Sequence, residues 1–265
     1  MDETDPVTTS AEDVRPSKGK TPAGEMVEIG KTVVYALLIA LVIRIFLFQP
    51  FTIPSASMEP TLFQGDYIIV SKFAYGYSRH SIPLSPPLFH GRIFFNPPHR
   101  GDIVVFKLPR DGRTDYIKRL IGLPGDRIQL KGGAVFLNGQ PLPRQELSPT
   151  VETSPFGFAH PVQRFRETLP NGRSYITYSY GPDGDVDNTG VYVVPAGHYF
   201  MMGDNRDNSQ DSRYPEAIGV GYVPAENLEG RADLILLSWN DRASIFKPWT
   251  WILDARPSRF FQLLH

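Results

Sequence analysis

One stretch constrains this chain more than any other: Thr32 to Phe48, TVVYALLIALVIRIFLF, is apolar except for Arg44. As a helix rising 1.5 Å per residue it extends roughly 26 Å, near the lower limit for crossing a bilayer. A buried core helix is the alternative. The run is apolar all round rather than along one stripe, and Pro50 stops it, so the pattern favours a membrane span.

Arg15, Lys18, Lys20 and Lys31 precede this run, whereas the twenty or so residues after it hold no Lys or Arg. The positive-inside rule then puts the N-terminus in the cytoplasm and the rest of the chain on the outer, periplasmic face of the cell membrane. Arg44 lies near the outer end of the run, where its side chain can snorkel to the interface. Residues 1–26 are rich in Asp, Glu, Thr, Ser, Pro and Lys and are expected to form a disordered cytoplasmic tail, with 27–49 as the transmembrane helix.

Beyond Thr52 helical periodicity nearly vanishes and short β-rich runs separated by Gly and Pro take over. Candidate strands are Tyr67 to Lys72, Asp102 to Lys107, Tyr116 to Ile121, Arg127 to Lys131, Ala134 to Leu137, Val191 to Val194, His198 to Met202 and Arg231 to Ser238. Gly132-Gly133 and Asn138-Gly139 read as tight turns. A proline-rich excursion runs from Ser78 to His99. Residues 140–190, with a strand candidate at Tyr175 to Tyr180, read as a β-rich insertion lying over a core made of 50–139 and 191–243. The tail, 244–265, mixes Trp249, Trp251, Phe260 and Phe261 with Arg256 and Arg259, as segments at membrane interfaces or packed on a domain do.

A net charge of -1 gives no electrostatic footprint for nucleic acid. The absence of cysteine removes disulfides, thiolate metal sites and cysteine nucleophiles. The six histidines are scattered without metal-ligand spacing, so neither a metal nor another cofactor is implied.

Chemistry can enter at Ile53-Pro54-Ser55-Ala56-Ser57-Met58-Glu59-Pro60-Thr61-Leu62. Prolines on both sides keep Ser57 out of any regular helix and hold it in a stiff segment, which suits a nucleophile that must be aimed beforehand. Taken alone, a capping or loop serine is the better explanation. A base is available in Asp115-Tyr116-Ile117-Lys118-Arg119-Leu120-Ile121-Gly122. Alternation puts Tyr116, Lys118 and Leu120 on one face and Ile117, Arg119 and Ile121 on the other. If either face is buried, a cation goes with it; a lysine so placed loses solvation, and a neighbouring arginine would depress its pKa further. The run Gly203-Asp204-Asn205-Arg206-Asp207-Asn208-Ser209-Gln210-Asp211-Ser212-Arg213 is either a solvated turn or a network of arginine–aspartate pairs with a serine orienting the base.

PSxSMxPTL at 54–62, GDYIIVSKFAYG at 65–76, RGDIVVFK with DYIKRLIGLPGD at 100–126, and GDNRDNSxDSR at 203–213 follow the apolar run in that order. Together they resemble the conserved boxes of bacterial type I signal peptidases. The resemblance covers the span, about 50–137 and about 191–238. It implies a membrane-bound serine endopeptidase that removes N-terminal signal peptides from exported preproteins after an Ala-x-Ala-like site.

By the same resemblance, Ser57 is the nucleophile and Lys118 the general base, and Ser55 with the backbone N–H of Ser57 forms the oxyanion hole. Ser209 orients the lysine, with Asp211 and Arg213 as a supporting ion pair. Substrate pockets fall on Phe51, Ile53, Met58, Leu62, Val105, Tyr116 and Ile117. The segment Tyr214 to Pro224 departs from the family pattern, in which many members resume sooner with an aromatic-Gly pair. The expected fold is mainly β, a bent antiparallel catalytic sheet with a β-rich insertion, preceded by one transmembrane helix. Its partners would be preproteins and the lipid bilayer. Two alternatives are a relative dedicated to one exported protein and an idle domain that binds extended peptides by strand addition.

Overall fold

The computed structural model describes residues 22–153, 159–181, 183–240 and 249–264. Most of the expected N-terminal tail, residues 1–21, lies outside them, as do residues 244–248 at the start of the C-terminal segment. The chain divides into two units, residues 1–41 and 42–265.

Helix α1, Pro22–Phe46, starts earlier than the apolar run suggests. A proline is tolerated at the first helical position, and Glu25 suits the positive end of the helix dipole. Residues 22–26 are therefore helical, not part of a tail. Within it Glu25–Phe46 is long and apolar enough to cross a membrane, with a mean hydropathy of 2.1 in its best window.

Pro50 is not what ends this helix. The chain leaves it at Phe46 and enters strand β1, Phe48–Thr52, in which Pro50 pairs with Ile69 of β2, Asp66–Ser71. β1 has a neighbour on one side only, which is where a residue lacking an N–H donor fits a sheet.

The remaining strands are β3, Ile103–Lys107; β4, Asp115–Gly122; β5, Arg127–Lys131; β6, Ala134–Leu137; β7, Gln140–Pro141; β8, Arg144–Thr153; β9, Ala159–Thr168; β10, Ser174–Ser179; β11, Tyr192–Val193; β12, His198–Met202; β13, Val223–Pro224; β14, Leu228–Ser238; and β15, Gln262–Leu263. The fold is mainly β. The main sheet runs β1-β2-β14-β3-β4-β12-β13, with β15 also on β14, and all its pairs are antiparallel. Register shifts interrupt β14 against β2 and β3, and β12 against β4. Such bulges bend and twist a strand, which accounts for a bent sheet. At Gly230 a Cβ would stand 2.5 Å from the Ser71 carbonyl oxygen, so the close approach of β14 to β2 there needs glycine.

A second sheet, β11-β5-β6-β7, and a third, β10-β9-β8, complete the domain. The third sheet lies in the expected insertion, where the sequence exposed one strand of three. It is built into the core rather than laid upon it. Leu169 and Tyr175 share an apolar cluster with Ile121, Ile128, Phe200 and Met202, and the backbone N–H of Tyr178 donates to the Asp204 carbonyl at 2.9 Å.

Candidate active site

The Pro54–Pro60 segment holds a single 3-10 turn, Ala56–Met58, with Ser55 extended ahead of it. Ser57 is thus in a helical turn, though not an α-helix. Met58 and Leu62 are fully buried in an apolar cluster with Ile53, Ile68, Val105 and Ile235, which pins the turn to β2, β3 and β14.

β4 supplies the partner. One of its faces carries Leu120 and Tyr116 into a cluster with Val104 and Phe106, and the other carries Ile121 and Ile117 into two further clusters. Both cations between them are enclosed as a result, Lys118 at 4% and Arg119 at 1% exposure. Lys118 Nζ bonds Ser57 Oγ at 2.7 Å and the Ile117 carbonyl at 3.0 Å. Ser55 Oγ lies 3.4 Å from Ser57 Oγ. Ser55, Ser57, Tyr116, Ile117 and Lys118 line one open cleft of about 370 Å³, together with Asn208 and Gln210.

Burial lowers the Lys118 pKa to about 8, and Arg213 pushes the same way, while Asp211 and Asp204 pull it back. Arg119, the expected second source of pressure, is itself paired with a carboxylate. Its guanidinium bonds both oxygens of Asp204, at 2.8 and 2.7 Å, and the Gly101 carbonyl at 2.8 Å, and it stacks over the Tyr175 ring at 4.2 Å.

The 203–213 run is a buried network, not a solvated turn. Arg213 bonds both oxygens of fully buried Asp211, at 2.8 and 2.9 Å. Although burial pushes Asp211 up, that guanidinium and the N–H groups of Gly203 and Arg213 hold its carboxyl below the usual range. Ser209 does not bond Lys118: its Oγ is buried without a hydrogen-bond partner among the described residues. It abuts Gly203 instead, where a Cβ would come within 2.3 Å of Ser209 Oγ and 2.5 Å of the Ser57 carbonyl oxygen.

Six of the seven expected pocket residues, Phe51, Ile53, Met58, Leu62, Val105 and Ile117, share one apolar cluster. Tyr116 instead packs with Phe106 in the neighbouring cluster and faces the cleft. Met58 and Leu62 have zero exposure and pack in the core, and of the seven only Tyr116 and Ile117 line the cleft.

Several positioning residues escaped the sequence reading. The Asn205 N–H donates to the Ser57 carbonyl at 3.1 Å, and its side chain donates to the Ala56 carbonyl at 3.2 Å and to Glu152 of β8 at 3.2 Å. Thr61 Oγ1 donates to Asp204, tying the serine loop to the Arg119 pair. Arg206 forks onto Glu167 of β9 at 2.7 and 2.5 Å. Asn205 and Arg206 stood in the motif that was noticed, but Glu152 and Glu167 gave no signal.

The profile of the family described as "Signal peptidase, peptidase S26" matches residues 26–239. Signal peptidase I of Rickettsia typhi is 42% identical over 250 residues, which cover 87% of this chain and 91% of that protein. Its counterpart in Rickettsia canadensis is 40% identical over 270 residues, 96% of this chain and 97% of that one. Among solved structures, a signal peptidase I from Enterococcus faecalis V583 matches 51% of this chain and 97% of its own, at 28% identity and a TM-score of 0.29.

Proposed function

The chain belongs to the signal peptidase family, peptidase S26, and from that premise we propose how its cleft cuts a signal peptide from an exported preprotein. It is a serine endopeptidase whose N-terminal apolar helix fits a membrane-anchored enzyme. The observation that carries the mechanism is the 2.7 Å contact between Ser57 Oγ and the Nζ of a lysine that has no ion pair with a carboxylate among the described residues.

Lys118 in its neutral form takes the proton of Ser57 as Oγ attacks the scissile carbonyl. The Ser57 N–H and Ser55 hydroxyl donate to the oxyanion that develops. Lys118 then gives its proton to the departing amine of the mature protein; neutral again, it takes a proton from the water that attacks the acyl-enzyme and returns it to Ser57 Oγ as the ester breaks. Alanine-sized side chains at the first and third positions before the cut suit the apolar surface that Tyr116 and Ile117 give the cleft, with Phe51 and Ile53 in the same apolar cluster as Ile117. Basic residues ahead of the helix, and none in the twenty or so after it, support a cytoplasmic N-terminus and a catalytic domain on the outer face of the inner membrane.

The test is to incubate the purified protein in detergent with a preprotein and sequence the new N-terminus. A cut after Ala-x-Ala, lost in Ser57→Ala, is expected. A cut elsewhere, or one that survives the substitution, refutes the mechanism. Relatives named as peptidases leave the idle peptide-binding alternative unfavoured.

A further inference from the structure

Away from the cleft, a larger cavity of about 590 Å³ opens where the chain leaves α1. It is lined by Arg44 from the last turn of the helix, by Lys72, Lys107 and Arg113, and by Leu84 from the proline-rich excursion, among others. Lys72 bonds one oxygen of buried Glu229 at 2.9 Å, and Lys107 bonds the other at 3.1 Å while pairing Asp115 at 2.5 Å. Both carboxylates in the cavity are thereby engaged. Arg44 and Arg113 reach the same space, and their guanidinium groups have no ion pair or hydrogen bond among the described residues. Four cations thus face two carboxylates, a surplus of two positive charges. Open guanidinium forks beside two further ammonium groups are the donor set that phosphate oxygens require.

One edge of this cavity is apolar: Ile82, Pro83 and Leu84 of the excursion line it, and Leu84 is 101% exposed. Tyr77, just ahead of the excursion and paired with its Ile93, ties it to the helix end: Tyr77 Oη donates to the Phe46 carbonyl at 2.9 Å and its ring meets Phe46 edge-on. A soluble phosphate has no use for such a rim, but an amphiphile with acyl chains beside its phosphate does. Arg44 also stands in the last turn of the segment long enough to cross a membrane, a position from which a basic side chain can snorkel to headgroups.

We propose that this cavity binds the phosphate of an anionic membrane lipid, clasped by Arg44 and Arg113 beside Lys72 and Lys107, with Leu84 and its loop against the acyl chains. The site is separate from the Ser57 chemistry, although Asp115 lines both cavities. Its test reads lipid retention, so it stands or falls independently of the peptidase mechanism.

The full chain in neutral detergent is titrated with phosphatidylglycerol or phosphatidylcholine, and bound lipid is counted by native mass spectrometry. Phosphatidylglycerol should be retained about tenfold more tightly. Arg44→Gln and Arg113→Gln should each weaken it about fivefold, the effect of losing one cation near an anionic surface. Both variants should still cleave a soluble peptide like wild type, which shows that they fold. Equal retention of the two lipids, or unchanged retention in both variants, overturns the proposal. Displacement of the lipid by millimolar inorganic phosphate also overturns it, because the occupant would then be a free anion.

Discussion

Lys118 and Lys72 are almost equally enclosed, at 4% and 1% exposure, yet their ammonium groups meet different company. Lys72 lies 2.9 Å from the Glu229 carboxylate, with Lys107 on that carboxylate's other oxygen. Lys118 bonds a hydroxyl and a carbonyl and faces the Tyr116 ring, with no carboxylate in an ion pair with it among the described residues, and the nearby carboxylates, Asp204 and Asp211, are occupied by Arg119 and Arg213. Burial lowers the pKa of both. In the first region a directly bonded carboxylate opposes that shift and keeps an ion pair. In the second, arginines hold the carboxylates away, so the amine can exist neutral beside a hydroxyl that is able to donate to it. Desolvation alone does not make a base; it does so where the counter-charge is already claimed.

The largest effects should separate the two regions at once. Ser57→Ala and Lys118→Ala should each cut turnover by about 10⁴-fold or more, with the double variant no worse, because the two act as one unit. Lys118→Arg should fail equally, since guanidinium stays protonated. Lys72→Ala should leave the turnover of folded enzyme near wild type, measured per active site. A loss there comparable to that of Lys118→Ala would erase the distinction.

Glu229→Gln presses on the other region. It strands Lys72 inside the protein and takes a partner from Lys107, so a stability loss of about 3–5 kcal/mol is expected by denaturant titration. Replacing both members of the pair, Lys72→Met with Glu229→Leu, should recover most of it. If the single substitution is harmless, the lysine is not relying on that carboxylate.

Within the cleft, Ser55→Ala tests whether a donor 3.4 Å from Ser57 Oγ in the resting enzyme serves charge that appears only later. A fall in kcat of about 10²- to 10³-fold with little change in KM is expected. A change confined to KM would make Ser55 a substrate-binding group instead.

How much of this could be read beforehand depends on whether the signal was local. The serine loop and β4 were legible because two prolines and a strand alternation constrain neighbouring residues, and two of the stretches that resemble a family coincide with them. The β8 and β9 strands were not. Pro149 falls where the β8–β9 register shifts, Pro161 interrupts β9, and both strands are dense in Arg, Glu and Gln, so neither shows period-two apolarity. Glu152 and Glu167 reach Asn205 and Arg206 across long sequence separations that no pattern announces. The role of Ser209 came from resemblance alone, and there the geometry differs.

That difference sets the smallest and sharpest effect. The rate kcat/KM should rise with pH through the value at which Lys118 loses its proton, about 8, because the neutral amine is the working form. Glu59, raised to about 7 chiefly by burial and next by Glu152, titrates nearby, so Glu59→Gln is the control and should leave the limb in place. A hydroxyl accepting from the Lys118 ammonium would favour the charged form and raise that pKa; deleting it would move the limb down. Ser209 Oγ makes no such bond, so Ser209→Ala should leave the limb within a few tenths of a unit of wild type. Removing a buried hydroxyl without a partner should also be neutral or stabilising, by at most about 1 kcal/mol. A downward shift of about one unit, together with a loss of stability, would mean that Ser209 turns to the lysine in the working enzyme and that the two buried amines differ by one more hydrogen bond than the resting geometry contains.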